Sequence, residues 1–278
     1  MKVFKYQALG NDYLVIDALP KQYQTKAFYQ KICDRNFGIG SDGVLLNVSD
    51  KKFGLKIINP DGSEAEKSGN GLRIFAKYCV EELGAPDSFE IQLPHEKVKA
   101  NIKNADATLI EIEMGQPKFN PDAIGLIAVG KEFIQKPIQI EDKTFLATCV
   151  SMGNPHCVIQ VKELSSDFAK TYGPKIENHP WFKNRTNVQF AKLIDNQNIL
   201  IEIWERGAGY TLASGTSSCA VASAFKKRGL VDDEVNLKMP GGTINIRFES
   251  NLSNVFMTGA VEKVFEAEMS KEFLKEFE

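Results

Sequence analysis

Apolar residues fall in short runs along the chain, separated by Gly, Asn and Pro. KVFKYQ and YLVIDA alternate or run apolar and read as strands, broken by Gly10-Asn11-Asp12. A polar stretch from about Thr25 to Asp34 fits a helix. Gly38, Gly40 and Gly43 punctuate a turn, and VLLNV and FGLKIIN continue as strands. A helix follows Ser68, then the strand FEIQL and further short strands to about Met114. The second half reruns this order. ATCVSMGNPHCVIQV (Ala147 to Val161) reads as strand, Gly-Asn-Pro turn and strand; NVQFAKL and NILIEIWE are strands. A helix then follows Ser214, and VNLKMP and TINIRF close the copy as strands. The charged, amphipathic end EMSKEFLKEFE predicts a short helix docked on the surface.

The landmarks keep their spacing. Asn11 lies 57 positions before Ser68, and Asn154 lies 60 before Ser214; Ser68 to Pro94 and Ser214 to Pro240 are both 26. Two matched intervals argue for two copies of one unit, against the alternative of common Gly/Asn turns recurring by chance. Both helices are apolar on most sides: Leu72, Ile74, Phe75, Ala76, Tyr78, Cys79 and Val80 in one, Cys219, Ala220, Val221, Ala222, Ala224 and Phe225 in the other. A helix of that kind is buried. The expected fold is α+β, with two pseudo-symmetric lobes, each a β-sheet or barrel wrapped around a central buried helix. The expected bounds are 1–116, with 264–278 packing back on it, and 117–263.

Composition narrows the function. The 278 residues are 43% hydrophobic and 25% charged, with net charge −2. That balance gives no electrostatic case for nucleic acid. No apolar run approaches a membrane span, and MKVFKYQALGND has no signal-peptide core. The expectation is a cytoplasmic protein. Five cysteines (Cys33, Cys79, Cys149, Cys157 and Cys219) include no CxxC pair, so neither a disulfide framework nor a metal site is expected. They read as small buried hydrophobes.

Each buried helix opens on Ser-Gly: Ser68-Gly69-Asn70-Gly71 and Ser214-Gly215-Thr216-Ser217. A helix N-terminus offers unpaired N–H groups and partial positive charge, and so holds anions. Either serine alone reads as a plain N-cap; the pair, in repeat register, points to a carboxylate site. Asn11, Asn59, Asn154 and Asn187 sit at strand ends or turns, and Glu205-Arg206 follows the strand ILIEIW. Singly, each suits a structural role. As a set they suit a zwitterionic ligand, with amides and Arg206 for a carboxylate and Glu205 for an ammonium. No phosphate loop, HExxH, G-x-S-x-G or dinucleotide fingerprint occurs. Of His95, His156 and His179, only His156 lies near a proposed site element, in a supporting or purely structural place.

These stretches resemble the diaminopimelate epimerase family. The resemblance is carried by ALGNDYLVID, FGIGSDGVLL, NPDGSEAEKSGNGLR, VSMGNPHCV, RTNVQF, WERGAGYTLASGTSSCA and Pro240-Gly241-Gly242, in family order. It implies the two-lobed fold, a homodimer, and inversion of an amino-acid α-carbon without pyridoxal phosphate, metal or other cofactor. It implies that Gly69-Asn70 and Gly215-Thr216 hold the α-carboxylate. Asn11, Asn59, Asn154, Asn187, Glu205 and Arg206 would read the distal carboxylate and ammonium. The two proton-transfer residues of the family are cysteines at the helix starts. Here Ser68 and Ser214 take those places.

A thiol, with a pKa of about 8.5, is lowered further at a helix N-terminus; a serine needs a neighbouring base. Glu64, Glu66 and Tyr210 are near in sequence. Three readings follow: an epimerase interconverting LL- and meso-diaminopimelate, with both cysteines replaced by design; a Ser/Ser paralogue acting on another amino acid; or an amino-acid-binding protein that keeps the clamp without turnover.

Overall fold

The repeat seen in the sequence has a direct counterpart in strand pairing. A computed structural model of the chain describes residues 1–48, 52–127 and 130–277; Glu278, the last residue of the expected C-terminal helix, lies outside them. The contacts divide the chain into two compact units, Met1–Ile112 with Gly259–Glu278, and Glu113–Thr258. These edges differ by a few residues from the expected ones; the returning segment includes the strand that pairs along the first.

In the first unit, β1 (Lys2–Ala8) and β2 (Asn11–Asp17) form an antiparallel pair. Helix α1 (Lys26–Cys33) follows, with Thr25 Oγ1 accepting the Phe28 N–H as its N-cap. β3 (Val44–Val48) then runs parallel to β2, β4 (Gly54–Ile58) antiparallel to β3, and the short β5 (Glu64–Ala65) pairs back on β4. Helix α2 (Gly69–Leu83) leads to β6 (Ser88–Gln92), which meets β4 in parallel. β7 (Lys97–Ile102) and β8 (Leu109–Gly115) finish the run antiparallel.

In the second unit, the short α3 (Pro121–Ile124) and β9 (Lys136–Ile140) precede the copy. β10 (Lys143–Ser151) and β11 (Pro155–Gln160) are antiparallel. After α4 (Ser166–Glu177), β12 (Asn187–Asp195) is parallel to β11, and β13 (Asn198–Glu205) antiparallel to β12. β14 (Gly209–Thr211) pairs back on β13. Helix α5 (Gly215–Lys227) leads to β15 (Glu234–Met239), parallel to β13, then β16 (Gly242–Phe248) and β17 (Val255–Ala260). Every pairing in one unit recurs, in kind and order, in the other. The recurrence extends to the edge: β18 (Glu262–Glu268) lies antiparallel to β1 as β9 does to β10.

The central helices are buried as their composition requires. Every residue from Gly69 to Cys79 and from Gly215 to Phe225 is buried. Helix α2 packs on β1, β2 and β7, and α5 on the corresponding β10, β11 and β16. The outer helix α1 covers β2 and β3 in the first unit, and α4 covers β12, β13 and β14 in the second. Phe28, Tyr29 and Ile32 pack with Leu14, Val44 and Leu46, and Ala169 and Ile176 with Val188 and Phe190. The expected C-terminal helix is α6 (Lys271–Lys275), capped by Ser270. It lays Phe273, Leu274 and Phe277 against the cluster around Phe28, with the Phe28 and Phe277 rings edge-on at 5.2 Å.

Helix α4 and strands β9, β17 and β18 are among the elements the hydrophobic pattern does not reveal. SDFAKTYGPKIE carries Gly173-Pro174, an ordinary breaker signal. Here Pro174 lies inside the helix, and Gly173 is where the helix passes close to Trp204. A Cβ on Gly173 would come within 2.6 Å of Trp204 Cβ.

Candidate functional site

In the first unit the site begins with a cap. Ser68, extended at φ −135°, accepts the Gly71 N–H at 3.1 Å on its Oγ, and its carbonyl accepts the Leu72 N–H at 2.8 Å. Ser68 is half-buried, and Gly69 and Asn70 behind it are buried. Asn70 is held on both sides. Its Nδ2 donates to Asn11 Oδ1 at 3.0 Å, and its Oδ1 accepts from Arg73 Nη2 at 2.8 Å. Asn11 in turn donates from Nδ2 to Asp42 Oδ2 at 2.7 Å. Arg35 bridges Asp42 and Asp12, and Lys5 closes on Asp12 at 2.8 Å.

Burial alone pushes the Asp12 carboxyl up, but hydrogen bonds from Arg35 and Lys5 outweigh it and hold the group below the usual range. The network therefore stays charged and fixes both amides. Arg73 is fully buried, its guanidinium against Gly259, where a Cβ would stand 3.0 Å from Cζ. Asn59 lies just past β4, its Nδ2 on Ser63 Oγ at 2.9 Å, apart from the Asn11–Asn70 pair in hydrogen bonding.

The second unit repeats the plan with different side chains. Ser214, 4% exposed, caps α5 and accepts the Ser217 N–H at 3.5 Å. Gly215 and Thr216 behind it are buried. Asn154, in the turn before β11, contacts His156 Nε2 at 2.8 Å; His156 Nδ1 meets Gln189 Nε2 at 3.0 Å, which also donates to Ser217 Oγ at 3.0 Å. Burial first, and the charge of Arg206 second, lower the His156 pKa to about 3. It is a neutral ring at physiological pH.

Asn187 is committed to the backbone, donating to the Pro155 carbonyl at 2.9 Å and accepting the Arg206 N–H at 2.9 Å. Arg206 Nη1 donates to the Asn184 carbonyl at 3.3 Å. Glu205 ends β13 paired with Gly209, nine residues before Ser214, as Asn59 is nine before Ser68.

Three residues invisible as candidates in the sequence organise these sets. Tyr13 places its hydroxyl 3.3 Å from Ser68 Oγ. Asp42 orients Asn11. Glu177, 5% exposed, accepts from Trp204 Nε1 at 2.7 Å, from the Gly207 N–H at 2.9 Å and from Arg185 at 2.8 Å, and so ties down the turn carrying Glu205 and Arg206. The repeat register contained a signal for Tyr13, which follows Asn11 by two positions as His156 follows Asn154.

Of the suggested bases, Tyr210 is committed elsewhere. It donates to Glu202 at 2.6 Å, and burial together with that bond pushes its pKa up to about 12. Among the described residues, no carboxylate or imidazole hydrogen-bonds to Oγ of Ser68 or Ser214. All five cysteines are buried and none is in a disulfide; burial raises the pKa of Cys33, Cys79 and Cys149. No group of three or more His, Cys, Asp or Glu suited to a metal occurs among the described residues. No helix among them is long and apolar enough to cross a membrane.

Comparison with known proteins gives these features a family. "Diaminopimelate epimerase 2" of Nostoc sp. is 47% identical over 278 residues, covering 98% of this chain and 96% of that protein. "Diaminopimelate epimerase" of Acetivibrio thermocellus is 36% identical over 276 residues, covering 97% and 98%. In fold, the chain resembles the crystal structure of a probable proline racemase from Agrobacterium radiobacter K84, with a TM-score of 0.71 at 13% identity over 97% of this chain and 93% of that one. A hydroxyproline epimerase from Agrobacterium vitis follows, with a TM-score of 0.69 at 14% identity over 96% and 91%. The sequence profile described as "Diaminopimelate epimerase" matches residues 3–120 and 148–264, and the chain belongs to that family of isomerases.

Proposed function

We propose that this chain epimerises diaminopimelate by α-proton transfer without a cofactor, and that Ser68 and Ser214 work at the two cysteine positions. The observation that carries the reading is the intact, rigidly held helix start. Asn70 is fixed by Asn11 and Arg73 directly behind the capping serine, and the same Ser-Gly opening stands in the second unit. The N–H groups at each helix start, Gly69 and Asn70 in one unit and Gly215 and Thr216 in the other, suit a carboxylate, whose charge the helix dipole favours. The carboxylate then draws electron density from the α-carbon, and the fixed N–H dipoles stabilise the charge that grows as the α-proton leaves. One serine removes that proton and the other delivers one to the inverted face. Arg206 and Glu205 read the distal carboxylate and ammonium; Asn59 and Asn154 complete the polar lining. Asn11 and Asn187 act mainly by holding other groups, since both ends of each amide already have partners.

The reading is tested by following conversion of LL- to meso-diaminopimelate by chiral chromatography, with Ser68→Ala and Ser214→Ala as controls. Conversion by the native chain, reduced at least about 1,000-fold in either variant, is expected. Conversion unaffected by both substitutions would remove the serines from the mechanism.

A second reading, an amino-acid-binding protein without turnover, is favoured by one observation: neither serine hydroxyl meets a carboxylate or imidazole base among the described residues. Tight binding of diaminopimelate by calorimetry with no conversion would select it.

A further inference from the structure

A serine hydroxyl is about as weakly acidic as water, whose pKa is ~15.7, so a working Ser68 needs a group to carry its proton. Among the described residues, one side chain stands at hydrogen-bond distance from Ser68 Oγ: Tyr13, whose hydroxyl oxygen is 3.3 Å away. Either oxygen can be the donor. The Gly71 N–H already occupies one acceptor position of Oγ, which fixes the serine rotamer and leaves its own proton and one lone pair.

The placement of Tyr13 is built, not incidental. The residue is 8% exposed, and its ring lies against Gly43. A Cβ at Gly43 would stand 2.8 Å from Tyr13 Cε1 and 2.7 Å from the Ile58 carbonyl oxygen, so glycine there opens the slot the ring fills. The backbone of Gly43 is pinned in turn, its carbonyl accepting from the Leu14 N–H at 3.1 Å and from Ser41 Oγ at 2.9 Å.

The second unit supports the same assignment independently. The residue at the repeat position is His156, which faces Val150 across its strand pair as Tyr13 faces Tyr6. It connects through Gln189 to Ser217 Oγ, in the first turn of α5. Both units thus aim a protic ring from this position at the start of the buried helix. In the first unit it reaches the capping serine directly.

We propose that Tyr13 is the proton relay of Ser68, acting through the serine rather than touching substrate. The inference rests on the isomerase reading above. Once Tyr13 has given its hydroxyl proton to solvent water, the α-C–H bond breaks and its proton passes to Ser68 Oγ while the serine's own proton passes to the Tyr13 oxygen. The negative charge moves from the phenolate to the α-carbon, and no other reactant is consumed. In the reverse step Ser68 gives its proton to the carbanion, Tyr13 replaces it, and the phenolate returns. A phenol ionises far more readily than an aliphatic hydroxyl. A thiol at position 68 would make the relay unnecessary, because it reaches its anion unaided.

That last point gives the test. Four full-length proteins are compared: the native chain, Tyr13→Phe, Ser68→Cys, and Tyr13→Phe/Ser68→Cys. Exchange of the α-proton of LL- and meso-diaminopimelate in D₂O is followed by NMR, with kcat and KM separated and folding monitored by thermal melting. In the serine background, Tyr13→Phe is expected to lower kcat about 100-fold or more with little change in KM. In the cysteine background the loss should shrink to about threefold or less, a rescue that a merely structural role for Tyr13 would not produce. Equal losses in both backgrounds, or no loss in the serine background, overturn the relay and leave the isomerase reading standing. Silence from the native chain with exchange by Ser68→Cys overturns the relay because Ser68 then turns nothing over. Silence from all four overturns the isomerase reading itself, and the relay with it.

Discussion

His156 is fully buried between Asn154 and Gln189, and its residence there has a pH signature. Burial lowers its folded pKa to about 3, below the ordinary value of about 6.5. The unfolded chain therefore takes up the proton first. The stability this neutral ring contributes is complete above pH ~6.5 and is lost as pH falls toward 3, with a slope of at most about 1.4 kcal/mol per pH unit. Urea unfolding at pH 7, 6 and 5 should show that loss in the native chain and a flatter profile in His156→Gln; parallel profiles would mean that the ring protonates in place. Asp12 acts in the same direction lower down. Its carboxyl is held below the usual range, so its contribution fades only as pH drops below about 3.9.

At this scale the sequence announced what the chemistry of short polar motifs can announce. Ser68-Gly69-Asn70 reads as a cap and anion cradle from residue type alone, and Asn70 is indeed locked at the helix start. Tyr13 was not legible, because a tyrosine inside YLVIDA looks like any core aromatic until its hydroxyl is seen against Ser68. Nor was the commitment of Asn187 to the Pro155 carbonyl and Arg206 N–H, since partners contributed by distant strands leave no trace in local spacing.

Among elements, the ones found by pattern are those with a strong internal period or a clear boundary. Helix α1 begins and ends where Thr25 and Asp34 predict, and the two buried helices start at their serines. Helix α4 broke the local rules. Gly173 and Pro174 read as a turn, and tertiary packing overrides them: the helix can approach Trp204 only without a Cβ at position 173. The repeat held the remedy, because α1 required a partner in the second copy between β11 and β12. The close approach makes a sharp prediction. Gly173→Ala places a methyl 2.6 Å from Trp204 Cβ and Cγ and should destabilise the protein by about 1–3 kcal/mol, despite alanine's higher helix propensity. An unchanged or raised denaturation midpoint would show that α4 shifts freely against β13. Glu177, at the end of this helix, holds the Trp204 indole and the Gly207 N–H, so the same substitution should also disturb the turn carrying Arg206.

For the whole molecule, duplication is the organising fact. The same pairings occur in the same order in Met1–Ile112 with Gly259–Glu278 and in Glu113–Thr258. The matched spacings of Asn, Ser and Pro made that legible before any coordinate. The edge strands β9 and β18 were not, because short exposed strands such as EKVFEAE carry little buried pattern. Duplication gives each copy one capping hydroxyl, and in the proposed function these supply the two proton transfers that inversion of an α-carbon needs. The central claim is that these hydroxyls move protons and do not merely cap helices. It is met most directly by incubating the native chain with LL- and meso-diaminopimelate in D₂O and watching the α-proton resonance by NMR, beside a Ser68→Cys/Ser214→Cys variant. Loss of that resonance with both isomers, catalysed by the native chain, is the predicted result. Silence from the native chain, with exchange by the double-cysteine variant, would contradict it and leave a clamp that holds the amino acid without turning it over.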